Sequence, residues 1–484
     1  MNYKMLGRFI GKILMVEAVF MVPAMMISLW EREFAVVRAF MWTLAAILAV
    51  VGVLIWACRG SKNKFYAKEG LACVGLSWLA MSLLGCLPFF LSGVMPNFVD
   101  AFFEIVSGFT TTGASILPEV ESVPKGILYW RSFSHWLGGM GVLVFLLAIS
   151  SMGGSESGYT MHLLRAESPG PNVGKLVPKM RKTASILYLI YILLTILDIF
   201  FLLLGGMPLF EAVCTAFGTV GTGGFGVKND SMAGYSPYIQ NVCTVFMLLC
   251  GVNFSCYYLL LLRQIKNVFR DEELRLYLGV AAGSILLITL NLKGFYDTLE
   301  ETLRHASFQV VTIMTTTGFA TTDYELWPGF SKAILLTLMV IGASAGSTGG
   351  GFKCGRALLI FKSLHRSVQK VVHPQKVQVV RVNGQPIDEK VLQNTNAYLA
   401  AYVLATILSF LLISIDGFSI TTNLSAVLAC FNNIGPGFEL VGPTCNYALY
   451  SNFSKLVLAW DMLAGRLEIF PILILCSRTT WEHR

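Results

Sequence analysis

Eight apolar runs pass along this chain in four pairs, near residues 71–92 and 129–152, 183–204 and 237–262, 274–293 and 330–361, and 396–415 and 453–477. Each is long enough to cross a bilayer core, which takes roughly 20 residues of helix. Between the members of every pair lies a shorter semi-apolar stretch, at 99–112, 208–220, 299–317 and 420–434. These stretches are too short to span, so each reads as a re-entrant segment that enters and leaves by one face. Two further apolar runs come first, one within residues 1–30 and one from Phe34 to Cys58. That many spans leave no length for a separate soluble domain. The composition agrees: 55% of the 484 residues are hydrophobic and only 13% charged, against about 25% charged in a soluble domain. An ordinary cytosolic enzyme, a disordered chain and a secreted disulfide scaffold are excluded. The 11 cysteines show no paired C-x-x-C spacing, and Cys86, Cys250, Cys430 and Cys476 lie inside apolar runs, where a thiol is a small hydrophobe.

Basic residues set the orientation. Lys4, Arg8 and Lys12 precede the first run, which Glu17 and Pro23 interrupt and no A-x-A site follows. The run therefore reads as a retained helix with its N-terminus in the cytoplasm, not as a signal peptide. Further clusters are Arg59, Lys62, Lys64 and Lys68, then Arg165, Lys175, Lys179, Arg181 and Lys182, then Arg263, Lys266 and Arg270. The largest runs through Lys353, Lys362, Arg366, Lys370, Lys376, Arg381 and Lys390. Alternate segments carry almost none: Lys125 in one, Lys228 in the next, and none between Asp416 and Asn452. Positive charge stays inside, so the alternation predicts a topology with both termini cytoplasmic, Arg478 and Arg484 included. The net charge of +8 fits this orientation and needs no nucleic-acid partner.

Each re-entrant stretch ends in a similar string: Phe109-Thr110-Thr111-Thr112-Gly113, Phe217-Gly218-Thr219-Val220-Gly221, Met314-Thr315-Thr316-Thr317-Gly318 and Phe431-Asn432-Asn433-Ile434-Gly435. A bulky apolar residue stands four before a glycine in all of them. Phe103-Glu104 and Phe308-Gln309 extend the match between the first and third. The period, near a hundred residues, fits tandem duplication of a helix–re-entrant loop–helix unit. The chemistry such an array asks for is cation selection. A short helix entering from outside points the negative end of its dipole at the bilayer centre. The extended residues after it leave backbone carbonyls free, and four sets around one axis replace the hydration shell of a cation. Glycine permits both the required backbone conformation and close approach.

These strings resemble those of the TrkH/KtrB-type potassium transporters, as do His135-Trp136-Leu137-Gly138-Gly139-Met140-Gly141 and the run from Gly342 to Lys353. The resemblance covers residues 70–484. Its length and two extra N-terminal helices are those of the TrkH branch. It implies an all-α integral membrane protein: four tandem helix–re-entrant pore loop–helix repeats around one pore, plus two N-terminal transmembrane helices. It also implies potassium uptake at a bacterial inner membrane, a homodimer, and a cytosolic nucleotide-binding regulator of the TrkA type. The nucleotide belongs to that regulator, with K+ as the transported ion and no covalently bound cofactor on this chain. The second string departs from the pattern, because Thr222-Gly223-Gly224-Phe225 follows it. Matching Gly224-Phe225 to Gly318-Phe319 slides that filter by three residues. Gly221 keeps the four-residue spacing and is preferred here.

The sixth run is interrupted by Gly342-Ala343-Ser344-Ala345-Gly346-Ser347-Thr348-Gly349-Gly350-Gly351. This is either a linker between two helices or, as the resemblance implies and the short flanking segments favour, a broken helix acting as a gate beneath the filter. Arg466 stands within the apolar run Leu456–Leu475 and needs water or a partner. Asp461 or Glu468 is a structural partner for it, and Glu468 can position it; the resemblance makes Arg466 a pore residue. Asp198 and Glu17 are single acids in apolar helices, each a proton carrier or a satisfied polar contact near a helix end; Asp198, near the outer end of its span, reads as structural. His135 reads as hydrogen-bonded structure, and the six histidines show no metal-ligand spacing.

The units expected are 1–69, two N-terminal helices; 70–152, repeat one; 153–263, a cytoplasmic loop and repeat two; 264–361, repeat three; and 362–484, a loop and repeat four. An alternating-access carrier for another small cation or solute is the competing function. Inverted repeats would favour it, whereas these four repeats share one orientation. No G-x-S-x-G, H-E-x-x-H or P-loop appears, so an enzyme is not expected. The basic loop around Lys362, Arg366 and Lys370 is expected to dock the regulator or to face anionic lipid.

Overall fold

The computed structural model describes residues 3–59, 67–141, 180–375 and 378–481. Among the described residues the only sheet is a two-stranded hairpin, Arg381–Val382 with Gln385–Pro386; everything else regular is helical. Among the described residues six helices are long and apolar enough to cross a membrane, and the chain is a multi-pass membrane protein. Two of them, α1 (Tyr3–Trp30) and α2 (Phe34–Ala57), form an antiparallel pair that packs against repeat one. Glu33, at the turn between them, accepts from the amides of Lys125 (2.6 Å) and Gly126 (3.2 Å), which fixes the pair to the start of a repeat-one helix. On α2, Trp42 and Trp56 are exposed.

Repeat one consists of α3 (Ala67–Gly85), the short α4 (Leu87–Leu91), α5 (Phe98–Phe109) and α6 (Lys125–Gly139). Repeat two consists of α7 (Met180–Leu204), α8 (Leu209–Val220), α9 (Pro237–Cys250) and α10 (Phe254–Leu261). After the surface helix α11 (Ile265–Arg270), repeat three has α12 (Glu272–Asn291), α13 (Leu299–Met314), α14 (Gly329–Val340) and α15 (Cys354–Val372). Repeat four has α16 (Glu389–Ile413), α17 (Ile420–Phe431), α18 (Asn452–Arg466) and α19 (Phe470–Cys476), before a final turn α20 (Arg478–Trp481).

The re-entrant helices are α5, α8, α13 and α17. At 12 to 16 residues and 1.5 Å per residue they fall short of a roughly 30 Å core. Side chains start three of them: Asn97 accepts from the Val99 amide (3.0 Å), Thr298 from Glu301 (3.1 Å) and Ser419 from Thr422 (3.1 Å). Each short helix wedges between the second helix of its own repeat and that of the repeat before it: α5 between α6 and α18, α8 between α9 and α6, α13 between α14 and α9, α17 between α18 and α14. The four repeats thereby close on themselves around one axis.

Two runs that look continuous in the sequence are broken. Residues 237–262 form α9 and α10, bent by 85°, and 453–477 form α18 and α19. The first break is possible because other groups take over the released carbonyls of α9. Tyr277 Oη donates to Leu248 O (3.0 Å), Tyr257 Oη to Leu249 O (2.6 Å), Thr348 Oγ1 to Cys250 O (3.2 Å) and Ser344 N to Gly251 O (3.1 Å). Asn253 then caps α10 through the Ser255 amide (2.9 Å). The second break lies at Glu468 and Ile469, both at φ +62, just before Pro471. The sixth run is broken as expected, between α14 and α15. The tail of the second run, 142–152, and the basic residues Lys62, Lys64, Arg165, Lys175, Lys179, Lys376 and Arg484 lie outside the described residues.

Candidate ion pathway and gate

The four re-entrant helices end identically. The residue after each helix has near-helical backbone, the next is left-handed, and the fourth is a left-handed glycine: Thr111 (φ +57) and Gly113 (+80), Thr222 (+53) and Gly224 (+80), Thr316 (+58) and Gly318 (+86), Asn433 (+54) and Gly435 (+97). In each string the third amide returns five residues, Thr112 N to Ser107 O (2.9 Å), Gly223 N to Gly218 O, Thr317 N to Thr312 O and Ile434 N to Ala429 O (all 2.8 Å). This is the bond that closes a helix with a left-handed terminus.

The equivalent strings are thus Thr110–Gly113, Gly221–Gly224, Thr315–Gly318 and Asn432–Gly435. The preferred register in repeat two is corrected by three residues. Gly218, Thr219 and Val220 are the last turn of α8, and Gly221 is its cap. Val220, not Phe217, is the apolar residue four before the glycine, and the Gly224-Phe225 and Gly318-Phe319 match was the signal that could find it.

The strings meet in a ring. A Cβ built on Gly113 would collide with the Gly223 carbonyl oxygen, one on Gly224 with that of Thr317, and one on Gly318 with that of Ile434. One on Gly435 would lie 2.6 Å from that of Thr112. First touches second, second third, third fourth, and fourth first. Behind the ring, Thr110 Oγ1 bonds Val106 O and Thr112 Oγ1 (both 2.7 Å), and Thr315 Oγ1 bonds Val311 O (2.7 Å) and Thr317 Oγ1 (2.8 Å). Asn433 Nδ2 crosses to Thr112 Oγ1 (3.0 Å), and Tyr447 Oη donates to Gly435 O (2.6 Å).

Sequence reasoning missed the pair that braces string two. Arg131 and Glu104 form a buried ion pair (2.6 Å). Glu104 also accepts from Ser115 Oγ (2.9 Å) and Ile116 N (2.8 Å). Arg131 donates to Gly226 O (3.0 Å) and lies 3.5 Å over the Phe225 ring. His135 supports the same segment, with Nδ1 2.7 Å from Gly108 O and Nε2 accepting from Phe225 N (3.2 Å). That is the hydrogen-bonded role expected of it. The nine-residue offset of Glu104 from Gly113 was visible; its partner, from another helix, was not.

Below the ring runs the segment Gly342–Gly351, almost wholly buried, unlike an exposed linker. Gly350 N donates to Thr316 Oγ1 (2.8 Å), Phe352 N to Asn432 Oδ1 (3.2 Å) and Phe254 N to Gly346 O (3.1 Å). Lys353 Nζ folds back onto Gly349 O. Arg466 is not in mid-span: it ends α18. Its guanidinium bonds Thr348 O (2.7 Å) in the loop, Thr111 Oγ1 (3.3 Å) in string one, and the carbonyls of Gly138 and Gly139 (the latter at 2.7 Å) at the negative end of α6. Glu468 pairs with Arg356, whose guanidinium lies 3.9 Å over Tyr398, and Asp461 bonds Ser409 Oγ (2.6 Å). Arg466 is thus held by three main-chain carbonyls and a threonine hydroxyl. Its counterparts are small. Gly138 and Gly465 stand in matching contact with the carbonyls of Phe109 and Phe431, and Gly139 and Gly251 with the hydroxyls of Tyr191 and Tyr277. Asp198 and Glu17 are buried within the helices. Lys362 pairs with Glu272, and Arg366 makes a two-pronged pair with Glu389 (2.7 and 2.8 Å).

Four re-entrant helices converging on a closed ring, with a buried loop beneath it, define a four-repeat membrane pore. A sequence model of the TrkH family, described as a cation transport protein, matches residues 37–482. The chain belongs to that family. It is 37% identical over 491 residues to the Trk system potassium uptake protein TrkH of Salmonella typhimurium strain LT2 and 36% identical to that of Escherichia coli strain K12, covering all of each chain. The crystal structure of the potassium transporter TrkH from Vibrio parahaemolyticus superposes with a TM-score of 0.89, 32% identity and full coverage of both chains. The relatives are transporters, and this chain is a transport protein, not an enzyme.

Proposed function

We propose that the chain takes up potassium across a bacterial inner membrane, both termini in the cytoplasm, through the ring formed by Thr110–Gly113, Gly221–Gly224, Thr315–Gly318 and Asn432–Gly435. The observation that carries the reading is the cyclic order of the glycine contacts, each against a carbonyl of the next string. Backbone oxygens held at that spacing substitute for water around a dehydrated cation. The loop Gly342–Gly351 and Arg466 form the gate: the loop occupies the space under the strings, and a fixed positive charge opposes a cation there. The relatives named as parts of a Trk system support a system of several components; our reading of the further component is a regulator of the TrkA type that carries the nucleotide and acts on the gate from the cytosolic side, with the transporter as a homodimer. We keep the division into 1–69, 70–152, 153–263, 264–361 and 362–484 as the working description of the units.

The test is rubidium uptake by purified protein in liposomes, in competition with sodium. Gly113→Ser and Gly318→Ser are expected to lose potassium-like preference before they lose transport. Two folded variants with wild-type preference would refute the filter.

A further inference from the structure

Three consecutive carboxylates open α12, and each holds something different. Asp271 caps the helix through Leu274 N (2.8 Å), and its other oxygen accepts from Asn383 Nδ2 (2.7 Å) in the hairpin turn. Glu272 accepts from the Asn383 amide (3.3 Å) and from Lys362 Nζ on α15, and its own amide donates to Asn383 Oδ1 (2.9 Å). Lys362 Nζ also donates to Arg381 O (2.7 Å) in the hairpin. Glu273 reaches inward instead. Its Oε1 accepts from Ala345 N (2.5 Å) in the middle of the intramembrane loop. The same carboxylate packs against the first turn of α15, where a Cβ on Gly355 would lie 2.9 Å from Oε1.

We propose that Glu273 is a positioning residue that latches the intramembrane loop, and that Asp271 and Glu272 tie this latch to the hairpin Arg381–Pro386 outside the bilayer. The inference rests on the gate reading above. Asn383 (φ +52) and Gly384 (φ +76) make the tight two-residue turn that stiffens a hairpin. A helix start bonded to it on three atoms moves with it. Adjacent residues of one helical turn carry that motion to the Glu273 carboxylate, and a shift there releases the Ala345 amide. The loop then loses a charge-assisted hydrogen bond that holds it under the ring.

The experiment uses the full chain in liposomes without any partner, reading rubidium flux and hydrogen exchange of the segment around Ala345. Glu273→Ala is expected to raise basal flux about tenfold, as the loss of one charge-assisted hydrogen bond implies, and to speed exchange. Gly355→Ala keeps the carboxylate but displaces it and should do the same, so it carries the test if Glu273→Ala does not fold. Asn383→Ala should raise flux less, and the Glu273→Ala/Asn383→Ala double variant no more than Glu273→Ala alone. Unchanged flux and exchange in Glu273→Ala and Gly355→Ala, while Arg466→Ala raises flux, would overturn the latch and leave the gate standing. Additive effects of Asn383→Ala and Glu273→Ala would overturn the link to the hairpin. If Arg466→Ala also leaves flux unchanged, the gate reading falls and the latch with it.

Discussion

Replacing Gly435 by alanine tests the ring at its seam, where the fourth string meets the first. Gly435 has φ +97. A Cβ on it lies 2.6 Å from the Thr112 carbonyl oxygen and 2.9 Å from the Gly113 carbonyl carbon. Relaxing the first contact from 2.6 Å to 3.0 Å, the closest approach that real Cβ atoms show, displaces the Thr112 carbonyl by about 0.4 Å. The neighbour is backbone and cannot rotate aside. The left-handed conformation adds roughly 1–2 kcal/mol for a residue that has a Cβ. A tenfold change in preference between two cations corresponds to about 1.4 kcal/mol, so strain of this size passed to the ring is enough to erase it. Gly435→Ala should therefore lower preference for potassium over sodium at least about tenfold, although the substitution is in string four and the displaced oxygen in string one. The assay is sodium competition against rubidium uptake in liposomes, with protein amount and monodispersity matched. Wild-type preference in a folded Gly435→Ala would refute the cyclic contact as the basis of selection.

Arg466→Ala should raise flux in the absence of any regulator, since it removes both the positive charge and the bonds to Thr348 and string one; single-channel recording checks this, and unchanged flux argues against the gate. Arg131→Met leaves Glu104 as an uncompensated buried charge and should destabilise the fold by roughly 3–5 kcal/mol, with Arg131→Met/Glu104→Gln recovering most of it in thermal melts; a single variant as stable as wild type sinks the bracing role. Neutralising Lys362, Arg366 and Lys370 together should weaken regulator binding in a pull-down, and undiminished binding rules that surface out. Glu439, in the loop between α17 and α18, is held below the ordinary 4.5 by bonds from Ser419 and Thr422. A depressed carboxyl contributes stability above its unfolded value and loses it as pH falls through the folded one, so Glu439→Gln should flatten the acid limb of a stability–pH profile.

Hydropathy and the glycine strings made the four repeats and their re-entrant helices legible, because bilayer thickness ties span length directly to sequence. The breaks in 237–262 and 453–477 were not legible from hydropathy, since each run is apolar on average and length alone sees one span. What permits the first break is distant in the chain: Tyr277, Thr348 and Ser344 take the carbonyls that α9 releases. The register of string two turned on whether Phe217 or Val220 faces the helix end, and backbone handedness at Thr222 and Gly224 decides it. Arg466 drew notice as a charge in an apolar run, and acids nearby in the chain were the only partners the sequence could offer. Carbonyls at the end of α6 serve it, and main-chain acceptors have no letter in a sequence.

The positions matching Arg466 in repeats one and two are the glycines 139 and 251. Four identical subunits would place a guanidinium at all four corners. Two unit charges 4 Å apart repel by about 4 kcal/mol at an effective dielectric of 20, and four such groups would leave no passage for a cation. Fusion of the repeats into one polypeptide frees the fourfold arrangement from fourfold composition. One quadrant can carry a positive charge that its counterparts in repeats one and two lack, and that charge can be changed by a mutation in a single codon.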